Sequence, residues 1–161
     1  TVEYPPVYGA DIVVSCEKAK DPKNGSIYLK PTQFVLGIGC RRNTAFENID
    51  RAIRQSLLKL QIDISDIDMI ASIDVKKDEP GIKEFCDRNR IEFVTYTADE
   101  LMAVQGEFSA SQFVREHVGV DNVCERAAVL ACSRECNEAG ELIYKKHKYD
   151  SVTVAAARYP D

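Results

Sequence analysis

Two adjacent arginines, Arg41 and Arg42, follow a short apolar run and a pair of glycines and precede a helical pattern. Guanidinium groups bind carboxylate or phosphate through two parallel hydrogen bonds. The free amides and the dipole of a helix N-terminus favour the same ligands, and Gly37 and Gly39 would let them approach the backbone closely. The glycine-rich motif that binds dinucleotides would need its third glycine at position 42, where this chain has arginine, so the sequence does not match that motif. The pattern predicts an anion site; arginines that are only solvated or paired with surface acids are the alternative.

A second charged segment, residues 74–79, follows the next predicted strand. If the strands run parallel, this segment lies at the same edge of the sheet as Arg41. Lys76 then becomes a second contact for a ligand with several negative charges. The alternative is a solvated loop in which Asp78 or Glu79 interacts favourably with the dipole of the following helix.

Two further side chains are candidates for a reaction. Glu125 falls in the first turn of a predicted helix, where its carboxylate could act as a general base; simple electrostatics at a helix end is the alternative. Cys40 lies beside the arginines and a helix N-terminus, so we expect a lowered thiol pKa and either a nucleophile or an oxidisable residue. His117 and His147 are the only histidines, and neither has a serine or cysteine partner at a recognisable spacing.

Composition and charge exclude several classes of protein. The chain has 161 residues, of which 45% are hydrophobic and 29% are charged, as is ordinary for one globular domain. A formal net charge of −5 argues against general binding to nucleic acid or to an anionic membrane, so any anion site is a local patch. No apolar run approaches the ~18 residues of a membrane span, and residues 1–9 show no signal-peptide pattern.

The six cysteines indicate free thiols rather than a disulfide or zinc framework. There is no CxxC pair and no histidine at zinc spacing. Cys124, Ala128, Cys132 and Cys136 recur every four residues, which predicts a helix face packed closely on the sheet. Free thiols suit a reducing compartment, and we expect a cytoplasmic location. The sequence does not begin with Met, which suggests processing or a piece of a longer chain.

Strand and helix patterns alternate from Gln33 onward. We predict strands at 34–39, 69–75 and 91–96, helices at 46–60, 80–86, 97–102, 111–118 and 122–136, and two closing strands within 141–157. This alternation predicts an α/β fold, with a mainly parallel, mixed sheet covered on both faces and a C-terminal antiparallel hairpin. Residues 1–32 differ in composition and are predicted to form a short hairpin or a linker before a domain at 33–161.

Two helices are predicted to begin with a capping box, in which a hydroxyl and a carboxylate satisfy free backbone amides. Thr44 with Glu47 and Thr97 with Glu100 have this spacing. Pro80 can open a third helix, because its missing N–H would have no partner there.

Four segments in order resemble the C-terminal domain family of the cobalamin-biosynthesis proteins CbiG and CobE. They are GIGCRRNT, ASIDVKKDEPG, FVREHVGVDNVCERAA and YKKHKYDSVTVAAA. The resemblance spans about residues 33–157 and implies a three-layer α/β/α domain. The stretch before residue 33 resembles the region that joins this domain to the N-terminal domain of CbiG-type proteins. We do not find that N-terminal domain in the sequence, and we expect it to be a partner of this chain.

The resemblance implies a role in the anaerobic, early-cobalt route to vitamin B12. CbiG proteins are cobalt-precorrin-5A hydrolases, which open the ring-A lactone and release acetaldehyde. Cobalt would arrive inside the tetrapyrrole substrate, so we expect no cofactor and no metal site belonging to the protein. A non-catalytic module that holds the precorrin for a separate N-terminal catalytic domain is the first alternative. A structural domain that binds no tetrapyrrole is the second.

The residues that match the family's motifs are Gly37, Gly39, Cys40, Arg41, Arg42, Thr44, Asp74, Lys76, Glu79, Cys124, Glu125 and Lys146. We expect Glu125 to act as the base and Cys40 to be a less favoured nucleophile, with the others binding substrate carboxylates. Asn43 and Ser151 stand where the family usually has glycine. Asn tolerates positive φ, so the first turn should survive, whereas Ser151 predicts a different final turn.

Overall fold

The computed structural model describes residues 12–14, 27–29, 34–108, 122–136, 138 and 140–160. The chain forms two compact units, residues 1–32 and 33–161. In the first unit, strands β1 (Ile12–Val14) and β2 (Ile27–Leu29) pair in parallel. A hairpin needs antiparallel strands, so the hairpin predicted for this region is wrong.

The second unit alternates strands and helices and then ends in two consecutive strands. Its described elements are β3 (Phe34–Cys40), α1 (Phe46–Leu60), β4 (Ile67–Ile73), α2 (Pro80–Asn89), β5 (Glu92–Tyr96), α3 (Ala98–Met102), α4 (Val123–Cys136), β6 (Glu141–Tyr149) and β7 (Val152–Arg158). Short 3₁₀ turns at Ile64–Asp66 and Asp74–Lys76 flank β4. The helix predicted at 111–118 lies outside the described residues.

The five strands of the second unit form one mixed sheet in the order β5-β4-β3-β7-β6. Strands β3, β4 and β5 run parallel, whereas β7 is antiparallel to both of its neighbours, β3 and β6. This confirms the mainly parallel sheet and the C-terminal antiparallel hairpin. Because β3 and β6 run in the same direction, the carboxyl ends of β3, β4 and β6 lie at one edge of the sheet.

Helices cover both faces of this sheet, which confirms the three-layer α/β/α fold. Helices α1 and α2 bury large apolar side chains on one face, among them Ile49 and Phe85. Helix α4 covers the other face with small residues, among them Cys124, Ala128 and Cys132. The small side chains let α4 approach the sheet closely, as their four-residue spacing predicts. None of the helices in the described part of the chain is long and apolar enough to cross a membrane.

The two predicted capping boxes have different outcomes. At α3 both bonds are present: Thr97 Oγ1 accepts the Glu100 N–H, and the Glu100 carboxylate accepts the Thr97 N–H. At α1 the prediction is wrong, because Ala45 is the N-cap and no side chain caps the helix. Helix α2 begins at Pro80, as predicted.

Candidate functional site

The arginine pair lies at the carboxyl end of β3, in the loop that leads into α1. Both Arg41 and Arg42 are exposed. The Arg41 N–H donates to the Ser151 carbonyl at 3.0 Å, which ties this loop to the turn between β6 and β7. Among the described residues, no carboxylate forms an ion pair with either guanidinium. The two cations therefore face solvent at the edge of the sheet where open α/β folds bind their ligands.

The charged segment after β4 lies directly beside this loop, as parallel strands require. Lys76 Nζ is 3.4 Å from Glu79 Oε1, and the lysine side chain is only 17% exposed. Glu79 Oε2 accepts the Asn43 N–H at 2.9 Å. Glu79 thus joins the loop that carries the arginines to the start of α2. Asp74 is half-buried and opens the 3₁₀ turn that carries Lys76.

The residues around the arginines fix the shape of their loop. Asn43 has a φ of 58°, so it takes the left-handed conformation expected of it. The Thr44 hydroxyl donates to the Arg41 carbonyl at 2.7 Å and lies 3.4 Å from Ser151 Oγ. Thr44 therefore closes the loop on itself instead of capping α1. In the final turn, Asp150 rather than Ser151 has a positive φ, of 49°.

The thiol of Cys40 does not have the lowered pKa that its sequence neighbours predict. Burial raises the pKa of Cys40 above its ordinary value and outweighs the lowering effect of Lys76; Glu79 adds to the rise, and a hydrogen bond with Thr44 opposes it. The adjacent arginines extend into solvent, where their charge is screened. The expectation of an activated thiolate at Cys40 is therefore wrong.

Glu125 lies inside the protein rather than at an open crevice. Its side chain is fully buried in the first turn of α4, and its Oε1 accepts the Lys146 N–H at 2.7 Å. Lys146 lies where the pairing of β6 with β7 is irregular, between the pairs that Tyr144 and His147 form with β7. The carboxylate thus stabilises a backbone amide at this irregularity, and the Lys146 side chain is only partly exposed.

Gly37 packs against a helix. A Cβ built on Gly37 would lie 1.7 Å from the Cys124 carbonyl oxygen. At Gly37 the backbone is therefore approached by α4 and not, as the sequence had led us to expect, by a ligand. A Cβ on Gly39 would meet only the Thr153 hydroxyl, at 2.6 Å. Cys124 itself is buried, and burial raises its pKa to about 12.

Sequence reasoning missed the contacts through which three hydroxyl residues hold this end of the sheet. Ser72, within the apolar run of β4, is buried and donates to the Ile38 carbonyl at 2.6 Å. Thr153 Oγ1 donates to the Gly39 carbonyl at 3.3 Å. The third is Ser151, whose backbone carbonyl is a partner of Arg41. The presence of a hydroxyl inside an apolar run was the available signal for Ser72. The sequence around Thr153 and Ser151 gives no indication of their partners.

The charges at this edge of the sheet suit an anion better than a metal ion. In the described ranges, no three His, Cys, Asp or Glu side chains are grouped in a way that could hold a metal ion. Two exposed guanidiniums and a partly buried ammonium at one edge are suited to carboxylates or phosphates.

Comparison with known proteins identifies the family. Residues 34–157 match the family model described as "Cobalamin synthesis G C-terminus". A probable cobalt-precorrin-5A hydrolase of Methanocaldococcus jannaschii is 31% identical over 137 residues, which are 82% of this chain and 42% of that protein. The cobalt-precorrin-5A hydrolase of Salmonella typhimurium is 33% identical over 126 residues, 78% of this chain and 34% of that protein. The chain thus spans well under half the length of these relatives.

A solved structure of CobE, a protein from the cobalamin (vitamin B12) biosynthetic pathway, has the same fold. It superimposes with a TM-score of 0.74 at 26% identity, covering 80% of this chain and 91% of CobE. The family match includes the arginine loop, the charged segment after β4, α4 and both closing strands. The chain therefore belongs to the family of the cobalamin synthesis G C-terminal domain.

Proposed function

We propose that this chain is the C-terminal domain of a cobalt-precorrin-5A hydrolase and that it binds the substrate's carboxylates through Arg41, Arg42 and Lys76. One observation carries the proposal: two exposed guanidiniums lie at the carboxyl end of β3, and no carboxylate among the described residues pairs with them. In a chain of net charge −5, such a cationic edge is a local feature that can select a polyanion.

The chemistry of the substrate fits this edge. A precorrin carries acetate and propionate side chains around its rim, and a guanidinium can bind each carboxylate through two hydrogen bonds. Glu79 accepts the Asn43 N–H and so holds the arginine loop in place before the ligand arrives. A preorganised loop loses less conformational entropy when the ligand binds.

In the parent reaction, the ring-A lactone is opened by water and acetaldehyde is released. The negative charge that develops on the lactone oxygen needs a donor, and Arg41 or Arg42 can supply one. Glu125 is our candidate for the base that activates water. Because its carboxylate is fully buried and accepts the Lys146 N–H, it could act as a base only if α4 and β6 separated.

The test is a titration of the chain with cobalt-precorrin-5A, followed by absorbance and by acetaldehyde release. The variant Arg41→Ala/Arg42→Ala should bind roughly 100-fold more weakly. Each factor of ten in affinity corresponds to about 1.4 kcal/mol of binding free energy. The control Arg54→Ala/Arg88→Ala removes two exposed arginines from α1 and α2 and should bind normally. Unchanged affinity in the Arg41/Arg42 variant would overturn the proposed site.

Acetaldehyde release separates the two roles of the domain. Turnover by the chain would place lactone hydrolysis within it, and its loss in Glu125→Gln with unchanged binding would identify the base. Binding without turnover would restrict this domain to holding the substrate for the rest of the parent protein.

A further inference from the structure

His147 has a fixed tautomer. Its Nδ1 lies 2.7 Å from the Lys145 carbonyl oxygen. A carbonyl oxygen can only accept a hydrogen bond, so Nδ1 carries a proton. In the neutral ring the lone pair is then on Nε2, at the far end of the side chain. A hydrogen bond from Nδ1–H to a backbone carbonyl is the usual way in which proteins orient a histidine that binds metal through Nε2.

The imidazole of His147 is also held in position by a tyrosine pair. It stacks on the Tyr144 ring, with centroids 4.0 Å apart and planes 6° from parallel. The Tyr144 hydroxyl lies 2.8 Å from the Tyr149 hydroxyl, and Ser56 Oγ of α1 lies 3.3 Å from the same Tyr149 oxygen. This chain of contacts fixes the ring relative to α1, so little entropy would be lost on metal binding.

His147 lies on the edge strand of the described five-stranded sheet. Strand β6 ends the sheet, and His147 is half-buried opposite Val154, which belongs to the core beneath α1. Directly opposed residues of antiparallel strands point to the same face. The imidazole therefore lies on the α1 side of the sheet, on the strand farthest from its centre.

A polar depression of about 280 Å³ adjoins this tyrosine pair. It is lined by Asn48, Arg51, Ala52 and Gln55 of α1 and by Lys148, Tyr149 and Asp150. Its size is suited to one carboxylate side arm rather than to a whole tetrapyrrole. Lys59 lies over the Tyr149 ring, 5.1 Å from its centroid, so α1 places one cation against this side of the tyrosine pair.

His147 and the arginine pair are separated by about the width expected of one large ligand. The register aligns His147 with Val154 and Val154 with Ile38, and Arg41 follows Ile38 by three residues. At ~3.3 Å per residue and ~4.8 Å per strand, the His147 and Arg41 Cα atoms are about 14 Å apart. A macrocycle with its metal at His147 could extend carboxylate side arms toward Arg41 and toward the depression.

We propose that His147 Nε2 is an axial ligand of the substrate's cobalt when cobalt-precorrin-5A is bound, an inference that rests on the proposed function. The Nε2 lone pair forms one coordinate bond to the cobalt and replaces a water or other weak axial ligand. No electron is transferred, and Nδ1 keeps its proton. Imidazole nitrogen is a normal ligand for first-row transition metals.

The test is electron paramagnetic resonance of the anaerobic complex between the chain and the cobalt(II) form of cobalt-precorrin-5A. One axial ¹⁴N ligand splits each cobalt line into three, and one ¹⁵N ligand splits it into two. We expect three-line splitting in the natural-abundance protein and two-line splitting after labelling with ¹⁵N-histidine. The chain has two histidines, so labelling alone leaves one competitor.

Substitution of each histidine identifies the ligand. His147→Gln should lose the nitrogen splitting while binding within about tenfold of the parent chain, because the carboxylate contacts remain. His117→Gln is the matched control and should keep the splitting; this result also assigns the ligand if His147→Gln does not fold. A bound complex without nitrogen splitting, or splitting that depends on His117, would overturn the inference and leave the proposed function intact. Absence of any binding would overturn both.

Discussion

The two sides of the sheet each place a buried glutamate against a backbone amide, but the two glutamates differ in their surroundings. Between α1 and α2, Glu79 accepts the Asn43 N–H and keeps an ion pair with Lys76. Beneath α4, the fully buried Glu125 accepts the Lys146 N–H. Both acids hold a segment that departs from regular pairing, a loop in one case and a strand irregularity in the other.

The N-terminus of α1 and the N-terminus of α4 differ in what lies next to them. The loop before α1 projects into solvent and carries Arg41 and Arg42. At α4 the first turn packs against β3 so tightly that Gly37 has no room for a side chain. A charged residue at a helix N-terminus therefore indicates a ligand site only where the space next to that terminus is free of the backbone of a neighbouring element.

Gly37→Ala is the substitution with the largest expected effect on stability. Its Cβ would lie 1.7 Å from the Cys124 carbonyl, and backbone must move to relieve the clash. We expect a loss of about 3 kcal/mol or more in the free energy of unfolding, measured with urea.

Gly39→Ala is the matched control for this change. There the new Cβ meets the Thr153 hydroxyl, a side-chain atom that can rotate away, although its bond to the Gly39 carbonyl would be weakened. We expect a loss of about 1 kcal/mol. Equal losses for the two variants would contradict the idea that α4 packs directly on β3.

The two buried glutamates provide the second prediction. Glu125→Ala leaves the Lys146 N–H without its carboxylate and creates a cavity, so we expect a loss of about 2–3 kcal/mol in the free energy of unfolding. Glu79→Ala should cost less, about 1–2 kcal/mol, because its loop is open to water that can solvate the Asn43 N–H.

The loss of affinity for cobalt-precorrin-5A should be larger for Glu79→Ala than for Glu125→Ala, the opposite of their order in stability. Glu79→Ala frees the arginine loop and should weaken cobalt-precorrin-5A binding several-fold, whereas Glu125→Ala should leave binding by the folded fraction nearly unchanged. Glu84→Ala, which removes an exposed ion pair with Arg88, is the control and should change stability by less than ~0.5 kcal/mol. If Glu125→Ala weakened binding more than Glu79→Ala, the placement of the substrate site at the loop of Arg41 and Arg42 would be wrong.

The order of elements could be predicted from the sequence because it depends on local patterns. The apolar periods of β3, β4 and β5 and the start of α2 at Pro80 are encoded within each segment. Even so, two capping boxes with the same spacing differ in outcome. Thr97 caps α3, whereas the Thr44 hydroxyl bonds to the Arg41 carbonyl and lies near Ser151, a residue more than a hundred positions away.

The site was predictable only in part for the same reason. The exposure of Arg41 and Arg42 follows from the end of a strand and the start of a helix. The burial of Glu125 depends on a strand irregularity that no local pattern reveals. The contact of Gly37 with α4 likewise joins residues 87 apart in sequence, 124 − 37. Parallel α/β topology brings such pairs together, and spacing along the chain carries no record of them.

The smallest expected effect concerns Cys40, which directly precedes the arginine pair and is itself half-buried. Because burial raises the pKa of its thiol, less thiolate is present at pH 8 than in an unfolded chain. Alkylation by iodoacetamide, followed on the Cys40 peptide by mass spectrometry, should therefore be several-fold slower in the folded protein than in urea. The rate should still rise as the pH is increased from 8 to 9.5.

Lys76→Met removes the cation that lowers the thiol pKa, so it should slow the reaction further, whereas the exposed Lys83→Met should not. Alkylation of Cys40 that is faster in the folded protein than in urea would restore the activated thiolate and, with it, a nucleophile beside the arginines.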